Sequence, residues 1–170
     1  NLSLGESIYN AALKSFKELR SNYNLGIILL CAPIFKIRKS NLNNFVNELN
    51  KIIGNISEKD GKLILSAIKL VGPGGLNKYS GKGDVNTKIT LSFDKIMKIG
   101  SKWDRISRCY DNNYKEIISS GLPFFISKKK KLSYNDSISL LFLKYLSLDY
   151  DSHLLRKYGI EKASKITKTA

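Results

Sequence analysis

The chain has 170 residues, of which 42% are apolar and 25% are charged. These values are those of one globular domain with a real core, and they exclude a chain that is disordered over most of its length. Lysine and arginine number 29 against 14 aspartates and glutamates, so the net charge is +15. Such a charge attracts polyanions. Nucleotides, nucleic acids and anionic membrane surfaces all qualify, and the basic residues are spread too evenly to choose among them.

Two features argue against a secreted or membrane-spanning protein. Cys31 and Cys109 have neither metal-ligand spacing nor the pattern of a disulfide framework, so a reducing cytoplasm is the simpler interpretation. The longest apolar run, Leu25 to Phe35, contains Pro33 and is too short to cross a bilayer. We therefore expect a cytoplasmic protein that does not span a membrane.

The first half of the chain is a series of helical patterns. Leu4 to Leu19 places apolar residues at spacings of three and four. Leu25 to Ile34 is apolar throughout and fits a buried helix or a buried strand, and its helical surroundings favour a helix. Leu42 to Ile53 carries one apolar stripe and is followed by Gly54, a typical C-terminal residue. Asp60 to Leu70 predicts another short helix.

The second half continues the pattern. Ser92 to Ser119 predicts the longest helix of the protein, because apolar residues recur along it at helical spacing, and Gly121-Leu122-Pro123 should end it. Ser133-Tyr134-Asn135-Asp136 resembles a capping box that opens a helix to about Leu148. Asp151-Ser152 can cap a final helix.

Gly159 then lies inside or near a break in that final helix. The sequence contains no repeats and no convincing alternating pattern of a strand. We therefore predict an all-α fold, with residues 1–170 forming a single compact multi-helix domain.

Two glycine-containing segments are candidate anion sites. Asn22 to Gly26 precedes a buried helix, where the amide of Asn24 and the backbone of Gly26 can bind an anion, although a turn with an asparagine cap explains the same residues. Gly74 and Gly75 allow a backbone to approach a phosphate closely, and Asp84 beyond them can hold Mg²⁺ or a ribose hydroxyl. The second segment is not a Walker loop, and a helix stop followed by a surface loop is its alternative explanation.

Two further segments combine acidic and basic residues. At about 100° per residue, Asp104, Arg108 and Asp111 share one helix face, where carboxylates can bind a metal ion and an arginine can bind phosphate. An ion pair between residues four apart is the alternative. In the segment that begins at Asp151, Arg156 and the adjacent lysine can contact phosphates, while a capped, solvated helix start explains them equally well.

The ordered set of motifs is more specific than any one of them. It comprises Asn22 to Leu30, Ala67 to Leu70, Pro73 to Leu76, Asp84-Val85, Trp103 to Ile106, Tyr110 with Asn112 and Tyr114, Gly121 to Pro123, and Asp151-Ser152 with Arg156, Lys157 and Gly159. In this order the motifs resemble the triphosphoribosyl-dephospho-coenzyme A synthase family, most closely its archaeal-type branch. The resemblance covers nearly the whole chain.

The resemblance implies a helical fold, ATP as substrate and Mg²⁺ as cofactor. The family's reaction breaks the bond between adenine and ribose in ATP and joins that ribose carbon to a hydroxyl of dephospho-coenzyme A, with the triphosphate retained. The product is a precursor of the prosthetic group of acyl carrier proteins in citrate lyase or malonate decarboxylase.

The resemblance also implies a set of site residues. A ribosyl transition state is cationic at the sugar, so carboxylates near it are stabilising, and we expect Asp84, Asp104 and Asp111 to act in catalysis. Asp84 and Asp104 are also the expected Mg²⁺ ligands. The expected nucleotide-binding residues are Asn24, Gly26, Gly74, Gly75, Arg105, Arg108, Tyr110, Asn112, Asp151, Arg156 and Lys157. We expect all these segments to converge on one pocket.

The family has an upstream segment with a Pro-Gly-Asn-Val-like motif, and nothing in this chain matches it. We therefore expect that residues 1–170 lack an N-terminal segment of the family. A homo-oligomer or a partner chain can supply that segment, or an apolar groove is left exposed near Leu4 to Phe16. Three alternatives remain: a basic helical domain that binds nucleic acid, a family member that acts on a different nucleotide, and a non-catalytic, structural relative of the family.

Overall fold

The computed structural model of the protein describes residues 2–37, 42–72 and 91–170. All regular structure in these ranges is helical, which confirms the prediction of an all-α fold. The elements are α1 (Leu4–Leu19), α2 (Leu25–Phe35), α3 (Leu42–Gly54), α4 (Glu58–Val71), α5 (Phe93–Gly100), α6 (Arg105–Asp111), a π-helical turn (Ile117–Gly121), α7 (Leu122–Lys129), α8 (Tyr134–Leu148), α9 (Ser152–Tyr158) and α10 (Ile160–Thr169). Among these helices, none combines the length and the apolar content that crossing a membrane requires.

The predicted long helix from Ser92 to Ser119 is wrong. Asp104 has extended backbone angles and separates α5 from α6, and Asn113 and Tyr114 both have positive φ, which a right-handed helix cannot accommodate. Ile96, Tyr110 and Tyr114 are nevertheless buried in one core. Trp103 and Ile117, which helical spacing places on the same stripe, are exposed. The predicted break at Gly121-Leu122-Pro123 is also wrong: the π-helical turn leads directly into α7, whose first turn tolerates the proline.

Other boundaries agree with the sequence patterns. The apolar run that fitted a helix or a strand is helix α2. The hydroxyl of Ser133 accepts a hydrogen bond from the Asp136 amide at 3.1 Å, which caps α8 as predicted. Asp151 caps α9, and Gly159 with φ of 82° separates α9 from α10.

Helix α1 packs along α4, and one carboxylate ties their N-termini together. The Asp60 Oδ1 atom accepts hydrogen bonds from the Gly5 amide, at 2.8 Å, and from the Ser3 hydroxyl. A Cβ atom on Gly5 would lie 2.6 Å from the Asp60 backbone, so glycine permits this close crossing. Ile8 and Ala12 of α1 are buried, and the expected apolar groove near Leu4 to Phe16 stays a prediction.

Two tyrosine hydroxyls connect α6 and the turn after it to α2. Pro33 lies inside α2 and has no N–H, so the carbonyl of Leu29, four residues earlier, loses its helical donor. The Tyr110 hydroxyl donates to that carbonyl at 2.7 Å, and the Tyr114 hydroxyl donates to the Leu30 carbonyl at 3.0 Å. Burial raises the pKa of both tyrosines, so both remain protonated donors at neutral pH.

We expect Tyr110→Phe to lower the free energy of unfolding by about 1–3 kcal/mol, because it leaves the Leu29 carbonyl buried without a donor. In a Pro33→Ala background residue 33 regains an N–H, so the same substitution should cost less. Chemical denaturation of the four proteins in a double-mutant cycle measures the difference. Tyr114→Phe is the control, because Ile34 carries an N–H four residues after Leu30. Equal costs of Tyr110→Phe in both backgrounds would contradict this account.

A second prediction concerns acid stability. Burial alone would raise the pKa of Asp60, but hydrogen bonds from Ser3, Ser57 and Gly5 outweigh it and hold that pKa below its ordinary value. Because the pKa of Asp60 is lower in the folded protein than in the unfolded chain, the ionised carboxylate stabilises the fold at pH values above the unfolded pKa of about 4. That stabilisation is lost as the pH falls through the pKa of the folded protein. Asp60→Asn should therefore be destabilised by about 1 kcal/mol at pH 7. Its difference from the wild type should shrink below about pH 4, as thermal melting at several pH values can show. A pH-independent difference would contradict the prediction.

Candidate functional site

The start of α6 meets the start of α9. Asp104 caps α6: its Oδ2 atom accepts hydrogen bonds from the amide and the hydroxyl of Ser107, both at 3.0 Å. The Ser152 hydroxyl donates to the Asp104 Oδ1 atom at 3.5 Å, a long bond that joins residues 48 positions apart. Two of the predicted segments, those of Asp104 and Asp151, are therefore neighbours.

The first turn of α2 packs against the same helix. A Cβ atom on Gly26 would lie 3.3 Å from Ile106 Cδ1, so the glycine lets α2 approach α6. Asn24 stands at the N-cap position of α2, and its Nδ2 atom donates to the Ser15 hydroxyl at 3.1 Å. Asn24 lines a shallow hollow with Val71, the last residue of α4. The C-terminal end of α4 thus lies beside Asn24.

Two arginines and two carboxylates form a closed cluster, here named the ion square: Arg105, Arg108, Glu116 and Asp149. Arg105 contacts Glu116 at 3.3 Å and Asp149 at 3.0 Å, and Arg108 contacts the same two carboxylates at 3.2 Å and 2.6 Å. These contacts, first of all that with Asp149, raise the pKa of Arg108. Sequence reasoning identified the arginines and missed both carboxylates.

The π-helical turn provides one side of this cluster. Tyr145 of α8 donates from its hydroxyl to the Glu116 carbonyl at 3.3 Å, and the Arg105 guanidinium lies 4.8 Å from the centre of the Tyr145 ring. A Cβ atom on Gly121 would lie 2.2 Å from the Tyr145 hydroxyl oxygen. Glycine at this position therefore permits α8 to approach the turn. The Gly121-Leu122-Pro123 motif predicts a helix stop, and nothing in the sequence signals the packing of its glycine against Tyr145.

The other predicted residues have varied surroundings. Asp111 is exposed at the end of α6, and Asn112 accepts a hydrogen bond from the Lys115 amide at 3.2 Å. Asp151 accepts one from the Leu154 amide at 2.7 Å, and Lys157 lies on the exposed side of α9, with its Nζ atom 5.1 Å from the Tyr158 ring centre. Tyr110, in contrast, lies in the core with its hydroxyl bonded to α2.

Several predicted residues lie outside the described residues: Gly74, Gly75 and Asp84, together with the side chain of Arg156. Convergence of all four segments on one pocket therefore stays a prediction. Within the ranges that the structure covers, no group of three or more His, Cys, Asp or Glu side chains is arranged to hold a metal ion. Burial raises the pKa of Cys109 to about 11, so this thiol is not an activated nucleophile.

A family model described as CitG, ATP:dephospho-CoA triphosphoribosyl transferase, matches residues 1–170. Because the match spans the whole chain, the protein belongs to this family of transferases. It is a transferase of the triphosphoribosyl group from ATP to dephospho-coenzyme A, as the motif order predicted, and nothing supports the nucleic-acid-binding alternative. Neither the curated proteins nor the solved structures give a match.

We expect Gly121→Ala to lower the free energy of unfolding by about 1–3 kcal/mol, because the added methyl group meets the Tyr145 hydroxyl and overpacks the junction between the turn and α8. Tyr145→Phe removes the hydroxyl oxygen that the new methyl group would meet, so Gly121→Ala should lower the free energy of unfolding less in that background. Gly54→Ala is a matched control, since a Cβ atom there has open space. Thermal melting compares them, and equal effects at Gly121 and Gly54 would show that the close approach carries no cost.

Proposed function

We propose that this chain carries out the transfer at a site formed around the start of α6 and the start of α9. The contact between Asp104 and Ser152 carries the proposal, because it joins two motifs that have no local reason to be neighbours. In the reaction the bond between adenine and the ribose C1′ atom breaks, and C1′ forms a new bond to a hydroxyl oxygen of dephospho-coenzyme A. That hydroxyl loses its proton, and adenine leaves in its protonated, neutral form.

The proposed catalytic residues are Asp84, Asp104 and Asp111, whose carboxylates would stabilise the cationic ribose in the transition state. Hydrogen bonds from Ser107 to Asp104 Oδ2 hold one carboxylate in place. Its Oδ1 atom has only the long contact with Ser152 among the described residues, so an oxygen remains that can serve a cation. We propose Asp84 and Asp104 as Mg²⁺ ligands, consistent with the preference of Mg²⁺ for oxygen. Bound Mg²⁺ would neutralise part of the triphosphate charge.

The triphosphate requires basic side chains, and we propose Arg105, Arg108, Arg156 and Lys157 for this role. Backbone and amide groups would orient the rest of the nucleotide; the residues proposed for this are Asn24, Gly26, Gly74, Gly75, Asn112 and Asp151. The role of Tyr110 is then indirect, because its hydroxyl holds α6 on α2 rather than a ligand.

The finer aspects of the assignment are also proposals. We place the protein in the archaeal-type branch on the order of its motifs, and in the cytoplasm, where ATP and dephospho-coenzyme A occur and where cysteines such as Cys31 and Cys109 stay reduced. A homo-oligomer, or a partner chain that completes the site, stays a prediction.

The decisive experiment is incubation with ATP and Mg²⁺, with and without dephospho-coenzyme A, followed by chromatography for free adenine. We expect adenine release that depends on dephospho-coenzyme A. No release under any of these conditions would refute the proposed function for this chain.

Asp104→Asn should reduce adenine release by about 100-fold or more, because the charge that stabilises the ribosyl cation is lost. Asparagine is as good a helix cap as aspartate, so the fold should be retained, as circular dichroism can verify. Asp136→Asn is the matched control: it also replaces a carboxylate in a helix N-terminal cap, that of α8, outside the proposed site. Unchanged turnover in Asp104→Asn would remove Asp104 from the catalytic residues.

A further inference from the structure

The ion square has a geometry that a single ion pair cannot provide. Each of its arginines contacts both carboxylates, and each carboxylate contacts both arginines, at distances from 2.6 to 3.3 Å. Each guanidinium also donates a hydrogen bond to a backbone carbonyl, which further restricts its orientation. The Arg105 Nη2 atom donates to the Tyr145 carbonyl and the Arg108 Nε atom donates to the Ser101 carbonyl, both at 2.9 Å.

The cluster joins segments that are distant in the sequence. Arg105 and Arg108 belong to α6, Glu116 directly precedes the π-helical turn, and Asp149 directly follows α8. The short connection between α8 and α9 therefore contacts the α6 region at both ends. Asp149 binds Arg108 in the ion square, and Ser152 binds Asp104, the cap of α6.

Stability alone does not account for this arrangement. The side chains are between 22% and 40% exposed, and partly solvated ion pairs contribute little to the free energy of unfolding. What the contacts do provide is orientation, because the planar guanidinium forms hydrogen bonds only along fixed directions. These contacts oppose rotation of both arginine side chains before any ligand arrives, which lowers the entropic cost of binding.

The arginines retain capacity for another anion. A guanidinium has five N–H donors, and contacts with described residues use three of them at Arg105 and three at Arg108. Arg105 directly follows Asp104, the N-cap residue of α6, so the proposed catalytic carboxylate and the first arginine belong to the same helix start. The donors left free by the described residues are Nε and one Nη1 hydrogen of Arg105 and the Nη2 hydrogens of Arg108, and each can form a single charge-assisted hydrogen bond to a phosphate oxygen.

We propose that Glu116 and Asp149 are positioning residues that preorganise Arg105 and Arg108 to bind a triphosphate. This inference rests on the proposed function for the identity of the ligand, ATP, and names two carboxylates that contact the arginines rather than the substrate.

The test measures binding of inorganic tripolyphosphate by isothermal titration calorimetry, which does not require the reaction to proceed. Asp149→Asn and Glu116→Gln should each weaken tripolyphosphate binding about tenfold, because the arginines lose their fixed orientation. Both should raise the KM for ATP by a similar factor and change kcat less. Asp149→Glu, which restores the charge, should recover part of the affinity. Glu58→Gln is the control, since it breaks an exposed ion pair with Lys62 and should change neither quantity.

The possible outcomes are distinct. Tripolyphosphate affinity equal to that of the wild type in both variants would show a purely structural cluster and overturn the proposal. Tighter binding would also overturn it, because the carboxylates would then compete with phosphate for the arginines. A wild type that does not bind tripolyphosphate would refute it as well. Weakened binding in the variants together with a wild type that releases no adenine would retain the positioning role and refute the proposed transferase site.

Discussion

The hydrogen bond from the Tyr110 hydroxyl to the Leu29 carbonyl joins α6 to α2, the two helices that Asp104 and Asn24 begin. Pro33 creates the need for it, because a proline inside α2 deprives that carbonyl of its helical donor. A buried carbonyl without a donor costs about 1–3 kcal/mol, so the donor must come from another element, and α6 supplies it. Since Asn24 begins α2 and Asp104 begins α6, the same contact holds two predicted site segments together.

The breaks in helical structure between Ser92 and Ser119 position the candidate site as much as the helices themselves do. In a continuous helix Asp104 would be one more residue of a turn, with its neighbours' amides occupied by helical bonds. Because the helix restarts after Asp104, the carboxylate caps a new N-terminus and lies within reach of Ser152. The left-handed residues Asn113 and Tyr114 then redirect the chain, so that Glu116 returns to the two arginines of α6.

Charge has two separate roles in this molecule. The net charge of +15 surrounds the protein with a potential that favours anionic substrates, and ATP and dephospho-coenzyme A both carry phosphates. The ion square is locally neutral, with two arginines and two carboxylates, so it adds orientation rather than attraction. The net charge thus provides general attraction, whereas Glu116 and Asp149 fix the direction of the arginine side chains they contact.

The sequence by itself determined the helical class, most of the helix boundaries and the family. Helical spacing appears within a few residues, as in α1, and the caps at Ser133 and Asp151 depend only on neighbours three residues away. Family membership followed from the order of short motifs. The tertiary structure decided where the long helical pattern breaks, and it brought Asp149 to Arg108 and Tyr145 to Gly121. Those contacts join residues 24 or more positions apart, and local spacing contains no information about which distant side chain will neutralise a charge or fill the space beside a glycine.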